Sequence, residues 1–552
     1  MHSLDAYLRF FAAPLELLCE RGHDVRLLLE EADHSPVEQA WLDRMLERPN
    51  FRCEIRNHFA AARFNDVARS VRQSLDYLRY LGPEYEDRAI FRRRSARRSP
   101  EAIKRIASWP LVRSRPGLAF TRIALSTLDR AMPPSAAAKD YVDDIAPDVL
   151  AVCDYGRLGS LYSTYVKAAR ETGVSCALCV ASWDNLSTRQ LIRELPDSLI
   201  VWNERQRQEA LEIHGVPSER VVITGAQCFD QWFTWQPRSR TEFCERVGLD
   251  PDKPYILWVG SALVRGNRVE PEFVRDWITR LRESDDDALS ELGVLLRSHP
   301  KRLSQWLDLD PSDLGNVSLW PRESMTMPTD IAQQADYFDS IFHSAAVVGI
   351  NSSAMIEAAV VGRPVFGLAM PEFHDSHRAT FHFSYVLESE GGIVRVAESI
   401  EDQLAQIRQT LTAPDPGFRS RNDRFVESFI RPAGLELPAT PIFVQALEAL
   451  GERDTAPSLD PPSIRAFRRL LPGAIVVVQA MLRLKRGFAT HKRGLLRKRG
   501  RYLKRAKRLA RTGARSIKRT RRLVRKRSLR GGQHSVGSAT RDSRISSSPG
   551  DE

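Results

Sequence analysis

Residues 345 to 369, AAVVGINSSAMIEAAVVGRPVFGLA, read as a buried strand, a small polar loop, a helix and a second strand. Ala345 to Ile350 is a short apolar run rich in β-branched residues. Asn351, Ser352 and Ser353 are turn and N-cap types, and Ala354 to Val361 carries helix formers. Gly362 then ends the helix and Pro364 opens the next strand. Such a loop presents free backbone N–H groups and hydroxyls at a helix N-terminus, where the macrodipole favours a phosphate. Glu357, one turn into the helix, is placed to accept hydrogen bonds from a ribose diol. An ordinary βαβ unit whose Asn and Ser serve only as caps fits the same letters.

The surrounding chain repeats the pattern. YILWVGS at 255 to 261 is an apolar run ending in Gly260 and Ser261, and GVLLRSHP at 293 to 300 is another, ending in Arg297 and His299. A guanidinium and an imidazole at the carboxyl end of a parallel strand sit where open α/β sheets bind ligands, although a capping His beside a surface Arg reads equally well. Leu15 to Val25 predicts a helix end, a turn at Arg21-Gly22-His23, and a strand over Val25 to Leu29. Further strands are expected at Asp148 to Asp154, Ser175 to Trp183, Ser198 to Asn203 and Arg220 to Ala226, alternating with helices over Gly159 to Thr172 and Glu204 to His214. Alternation at this spacing implies parallel sheets covered on both faces. The expected fold class is therefore α/β, with two Rossmann-like doubly wound domains, residues 1–236 and 237–452, facing a cleft. Met1-His2-Ser3 leads straight into a helix, so the first strand of the first domain is expected to be missing.

The segment from 345 to 369 resembles the donor-binding segment of GT-B glycosyltransferases and of their relatives, the UDP-N-acetylglucosamine 2-epimerases and CDP-glycerol glycerophosphotransferases. SWDNLS at 182 to 187, His343 to Val365 and HFSYVL at 382 to 387 together are similar to a bacterial group of GT-B-like proteins of poorly defined activity. The resemblance spans about residues 7 to 452. It implies that Asn351, Ser352 and Ser353 hold a nucleotide diphosphate and that Glu357 holds the ribose. It also implies that Gly260 and Ser261 form a phosphate-facing loop and that Arg297 and His299 face the donor. Asp184, at the carboxyl end of a strand pointing into the cleft, is a candidate base for an acceptor hydroxyl. His382 is a second candidate catalytic residue, or else a packed core histidine.

Charge divides the chain more sharply than its total suggests. Residues 461 to 552 carry 28 Lys and Arg against 3 acids, net +25, whereas residues 1 to 460 carry 54 against 67, net −13. A Pro, Asp and Ser-rich linker over 453–463 leads into a tail over 464–530. There an apolar patch, Leu470 to Leu484, precedes a polybasic run that is helical or disordered, and 531–552 is Ser and Gly rich. The patch is too short to span a bilayer, which needs about 20 residues. Patch and basic run over 470–530 suit an anionic membrane surface, with nucleic acid as the competing partner. A second basic region, Arg88 to Arg122 with RRRSARR at 92 to 98, is either a solvated helical face or a patch steering an anionic acceptor.

Seven cysteines, an odd count without a signal peptide, point to a reducing, cytoplasmic setting, peripheral at the inner face of the plasma membrane if the tail binds it. Cys176-Ala-Leu-Cys179 lies in a strand, where residues three apart face opposite sides. Asp285-Asp286-Asp287 follows a helix and reads as a turn and N-cap. No HExxH, paired CxxC, GxGxxG or GxxxxGK[ST] is present, so no metal or cofactor is expected. The reading is metal-independent transfer of a sugar from a nucleotide-sugar to a cell-envelope or polysaccharide acceptor. The alternatives are a CDP-polyol phosphotransferase and a non-catalytic GT-B scaffold tethered by its tail.

Overall fold

The computed structural model describes residues 4–30, 35–55, 65–153, 162–261, 270–322, 331–371, 373, 380–413, 415–453 and 461–469. The apolar patch, the polybasic run and the Ser/Gly-rich end, all from residue 470 onward, lie outside these. Twelve strands run β1 (Val25–Leu29), β2 (Phe51–Ile55), β3 (Val149–Val152), β4 (Ser175–Cys179), β5 (Ser198–Val201), β6 (Val221–Ile223), β7 (Tyr255–Val259), β8 (Gly293–Arg297), β9 (Val317–Leu319), β10 (Ala346–Gly349), β11 (Val365–Leu368) and β12 (Val394–Ala397). They form a parallel six-stranded sheet in the order β12-β11-β10-β7-β8-β9, a parallel four-stranded sheet β3-β4-β5-β6 and a parallel pair β1-β2.

The strands at the sheet centres are buried throughout and, apart from Ser175 and Ser198 at the starts of β4 and β5, are built of apolar and aromatic residues because both faces are covered. Along β7, Tyr255, Leu257 and Val259 pack with Met355, Ala358 and Phe429 on one face. Ile256 and Trp258 pack with Phe273, Trp277 and Ile407 on the other. β4 divides in the same way. Cys176 and Leu178 join Tyr162, Val166 and Ala210, while Ala177 and Cys179 join Phe443, Leu447 and Leu450. Both halves are thus doubly wound, and the CxxC pair is core on opposite faces of one strand. Asp286 caps a short helix through its side chain, accepting from the Ala288 N–H at 2.9 Å.

Two details differ from the sequence reading. The first half holds not one sheet but two pieces. Among the described residues no strand bridges β1 to β3, and side chains join them instead, Leu28 packing beside Ala138, Val142 and Ala168. The division at residue 236 also needs refinement. The helix Ala439–Gly451 returns to the first half, where Phe443, Leu447 and Leu450 complete the core under β4. Its return leaves a hydrophobic cluster shared by both halves, in which Trp183, Trp202 and Phe229 meet Tyr255, Ile356 and Phe429.

Between β2 and β3 the chain inserts a helical layer that includes Asn65–Arg79, Ala89–Arg98, Glu101–Ala107 and Arg115–Ala131. Buried ion pairs fix it to the first half. Arg193 pairs with Asp76 and faces Asp129 at 4.0 Å, and within the layer Asp129 is held by Arg72 at 2.8 Å. The buried Lys167 ammonium donates to the carbonyls of Asp129 (2.9 Å) and Met132 (2.8 Å) and faces Glu194 at 3.1 Å. The basic region 88 to 122 is therefore a packed layer with one exposed side. Among the described residues no helix is long and apolar enough to cross a membrane.

Candidate functional site

The loop between β10 and the helix Ala354–Val361 forms as its letters dictate. Gly362 adopts φ +78° just after the helix, a left-handed conformation that only glycine adopts without strain. At the other end, the Ser352 hydroxyl accepts from the Ala354 N–H at 3.3 Å. The Asn351 N–H donates to Ser261 Oγ at 3.2 Å, so the loop after β10 is tied to the loop after β7. Neither the Ser352 nor the Ser353 N–H has an acceptor among the described residues. Two free donors at the positive end of a helix are what an anion requires.

Gly260 and Ser261 follow β7 at close quarters with the end of β8. The Gly260 N–H donates to the Arg297 carbonyl at 2.8 Å, and a Cβ on Gly260 would lie 2.8 Å from the His299 nitrogen. His299 therefore sits beside this loop. The Ser261 N–H is held by the buried Glu270 carboxylate at 2.9 Å, which also accepts from Trp258 Nε1 at 3.3 Å. Burial pushes the Glu270 carboxyl up to about 7 against the opposing pull of those donors.

Two of the sequence-derived residues are more occupied than expected. Glu357, 2 % exposed, was expected to stand free for a ribose diol. Its Oε1 accepts from Arg9 Nη2 at 2.7 Å and its Oε2 from the Tyr337 hydroxyl. Arg297 was expected to aim at the donor. Its Nη1 instead donates to Ser340 Oγ (2.7 Å) and the Asp336 carbonyl (3.1 Å), and the guanidinium lies 5.1 Å from the centre of the Tyr337 ring. Asp336 and Ser340, one turn apart on the helix Ile331–Phe342, capture that side chain, and burial draws the guanidinium down to about 10. Arg297, Tyr337, Glu357 and Arg9 thus form one connected chain, buried at Arg297 and Glu357 and half-buried at Tyr337 and Arg9. Arg9 and Tyr337 carry no sequence signal of this role, because both partners are distant in the chain.

The first half contributes through the turn after β4. Trp183 Nε1 donates to Ser353 Oγ at 3.2 Å, joining the two halves at the loop. The next residue, Asp184, accepts from Ser182 (2.9 Å), Thr188 (3.2 Å) and Asn185 (3.3 Å). Burial alone would raise its carboxyl, but Arg189, His382 and the two hydroxyls hold it below the usual carboxylate range. His382 stands with its ring 4.7 Å from the Trp183 ring, edge to face. It is buried, which pulls its imidazole below the ordinary value despite Asp184, and its Nδ1 has no hydrogen-bond partner. A neutral imidazole with a free nitrogen can accept a proton, whereas Asp184 is saturated with donors and weakly basic.

Sequence reasoning missed Glu209 altogether. It lies on the helix Glu204–Glu212, is buried, and accepts from the Tyr385 hydroxyl at 2.6 Å. Burial pushes it up to about 7, opposed by Tyr385 and Ser187. Nothing in ERQRQEALE distinguishes it from a solvated helical glutamate. Among the described residues no group of three or more His, Cys, Asp or Glu is arranged to hold a metal ion.

No protein-family model matches the sequence, and neither does any curated protein. Among solved structures the chain is similar in fold to S. aureus MnaA in its co-structure with UDP, at 14 % identity and TM-score 0.45 over 82 % of this chain and 97 % of that one. It is similar to a glycosyltransferase from Rickettsia africae at 9 % identity and TM-score 0.43, over 81 % and 95 %. A third similarity is to the wall teichoic acid polymerase TagF at 15 % identity and TM-score 0.31, over 46 % and 58 %. At these identities the likeness is one of fold and specifies no reaction.

Proposed function

We propose that the protein transfers a sugar from a nucleotide-diphosphate donor to an acceptor hydroxyl. The observation that carries the reading is the pair of free N–H groups, Ser352 and Ser353, at a helix N-terminus bound by one hydrogen bond to the opposite half. A diphosphate seated there meets positive potential where charge develops as the anomeric C–O bond breaks, with His299 beside it. This stabilisation comes from the chain itself and requires no bound metal. A carboxylate oxygen has two lone pairs, so a ribose diol adds to Glu357 beside Arg9 and Tyr337. His382 Nδ1 takes the acceptor proton, and Asp184 fixes the turn and favours the imidazolium that results. The acceptor belongs to the cell envelope if the basic tail recruits the enzyme to an anionic leaflet.

A panel of UDP-, GDP- and CDP-linked donors with the full-length protein tests this. Sugar transfer releases the nucleoside diphosphate intact. Release of CMP from a CDP-polyol would instead establish phosphoryl-group transfer. Absence of nucleotide binding by calorimetry would leave the scaffold reading.

A further inference from the structure

Between the helical layer and the turn after β4 lies a cavity of about 320 Å³, lined by Asp76, Tyr80, Phe91, Arg94, Arg98 and Arg189 among others. Three guanidiniums share one cavity, and its one carboxylate, Asp76, is paired with Arg193. Arg94 and Arg189 are partly buried and Arg98 is exposed; none of the three has a side-chain hydrogen bond or an ion pair among the described residues, and the Arg189 Nε is buried without a partner. They are close enough to act on one another. Burial, Arg189 and Arg98 together depress the Arg94 guanidinium, and Tyr80 and Asp184 only partly offset this. Like charges converging on a partly buried space are unfavourable unless an anion completes them, and the planar fork of arginine suits phosphate or carboxylate oxygens.

The cavity is also held in place. His214, buried beneath the turn, accepts from the Ile192 N–H at Nδ1 (3.0 Å) and reaches the Leu186 carbonyl through Nε2 (2.8 Å), clamping the chain on both sides of Arg189. Its neighbours are the candidate catalytic groups. Thr188, in the lining, bonds the Asp184 carboxylate, and Phe91 stacks on Phe381, the residue before His382, at 6.1 Å between centroids.

We propose that this cavity receives the anionic group of the acceptor, a phosphoryl or similar oxyanion held by Arg94, Arg98 and Arg189 so that the adjoining hydroxyl faces His382. The assignment rests on the transferase reading. A phosphoryl group can come from a soluble sugar phosphate or from a lipid-borne phosphate. The same helical layer exposes Trp109, Leu111, Phe120 and Ile123, which makes the lipid-borne source worth a separate arm.

Arginine labelling of the full-length protein with phenylglyoxal, read by peptide mass spectrometry, localises the effect despite the basic tail. The probes are inorganic pyrophosphate, glucose 1-phosphate and a short-chain isoprenyl phosphate in neutral detergent, with exposed Arg97 as the reference. At least one probe should slow labelling of Arg94, Arg98 and Arg189 by about fivefold when near saturation while Arg97 is unchanged. Protection by the isoprenyl phosphate alone assigns the lipid source, and protection by the soluble anions alone assigns the other. In an Arg94→Gln/Arg98→Gln variant, about tenfold more probe should be needed to protect Arg189, with UDP affinity unaltered. Absence of protection by all three probes overturns the proposal, as does equal protection by UDP, which would make the cavity part of the donor site. Protection without any UDP binding would keep the anion site and discard the donor reading.

Discussion

The loop after β10 and the cavity beneath the helical layer are both lined with ionisable groups, yet they treat charge in opposite ways. Around the loop every buried charge has a protein partner: Glu357 has Arg9 and Tyr337, Arg297 has Ser340 and the Asp336 carbonyl, and Glu270 has the Ser261 N–H and Trp258. What remains free there is neutral backbone. Around the cavity Arg94, Arg98 and Arg189 have no hydrogen bond or ion pair among the described residues; Arg94 and Arg189 are partly buried and feel the nearby Asp184 carboxylate, and Arg98 is exposed. A matched buried charge holds structure in place and is costly to disturb, whereas a partly solvated one without a direct partner holds little in place and keeps its donors available. The contrast separates groups tied into the fold from groups whose donors are left unused.

Cutting the matched chain should produce the largest effect. Glu357→Ala leaves Arg9 and Tyr337 facing an empty space, and a loss of about 3 kcal/mol in denaturant unfolding is expected, the lower end for a broken buried pair because Arg9 keeps some contact with water. A change below 1 kcal/mol would mean that the chain under the loop is not holding it.

The next effect is a pH dependence set by Glu270 and Glu209, both pushed up to about 7. Between the unfolded value near 4.5 and the folded one, the native protein keeps protons that the unfolded chain has released, so stability falls as pH rises through this window. Each carboxyl should account for about 1.5 kcal/mol between about pH 5.5 and pH 7. Glu270→Gln should remove its share of the slope in unfolding curves taken across that range, and an unchanged slope would show that Glu270 is ionised throughout. His214, pushed down to about 3, contributes the opposite sign, its share being lost as pH falls below about 6.5.

Smaller still is the link between the halves. Trp183→Phe deletes one hydrogen bond to Ser353 and should weaken nucleotide diphosphate binding by about 1 kcal/mol, roughly fivefold, measured by calorimetry. At the far end of the scale is the cavity itself. Arg94→Gln should change unfolding free energy by no more than about 0.5 kcal/mol, or raise it slightly, because no partner is abandoned and a repulsion is relieved. A loss comparable to that of Glu357→Ala would erase the distinction between matched and unmatched charge.

Local sequence determined most of the strands, several turns and the loop after β10, although β2, β9 and β12 were not among the strands it placed. Periodicity, a β-branched run and the Gly362 stop place β10, its helix and β11 within one or two residues, because each depends on neighbours a few positions apart. The same reasoning placed β1, β7 and β8, and the turn and capping roles of Arg21-Gly22-His23 and Asp286. Tertiary structure alone decided what each polar side chain meets. Arg9 and Glu357 are 348 positions apart, Tyr385 and Glu209 are 176, and Trp183 and Ser353 are 170. Arg94 looks like part of a solvated face in RRRSARR until the helical layer folds over the turn carrying Arg189, while Arg98 lines the same cavity and stays exposed. Hydrogen bonding and burial act through space over a few ångströms, so a letter can announce the conformation of its own backbone, while its partner, its proton affinity and its freedom to bind are set by whichever distant segment the fold brings beside it.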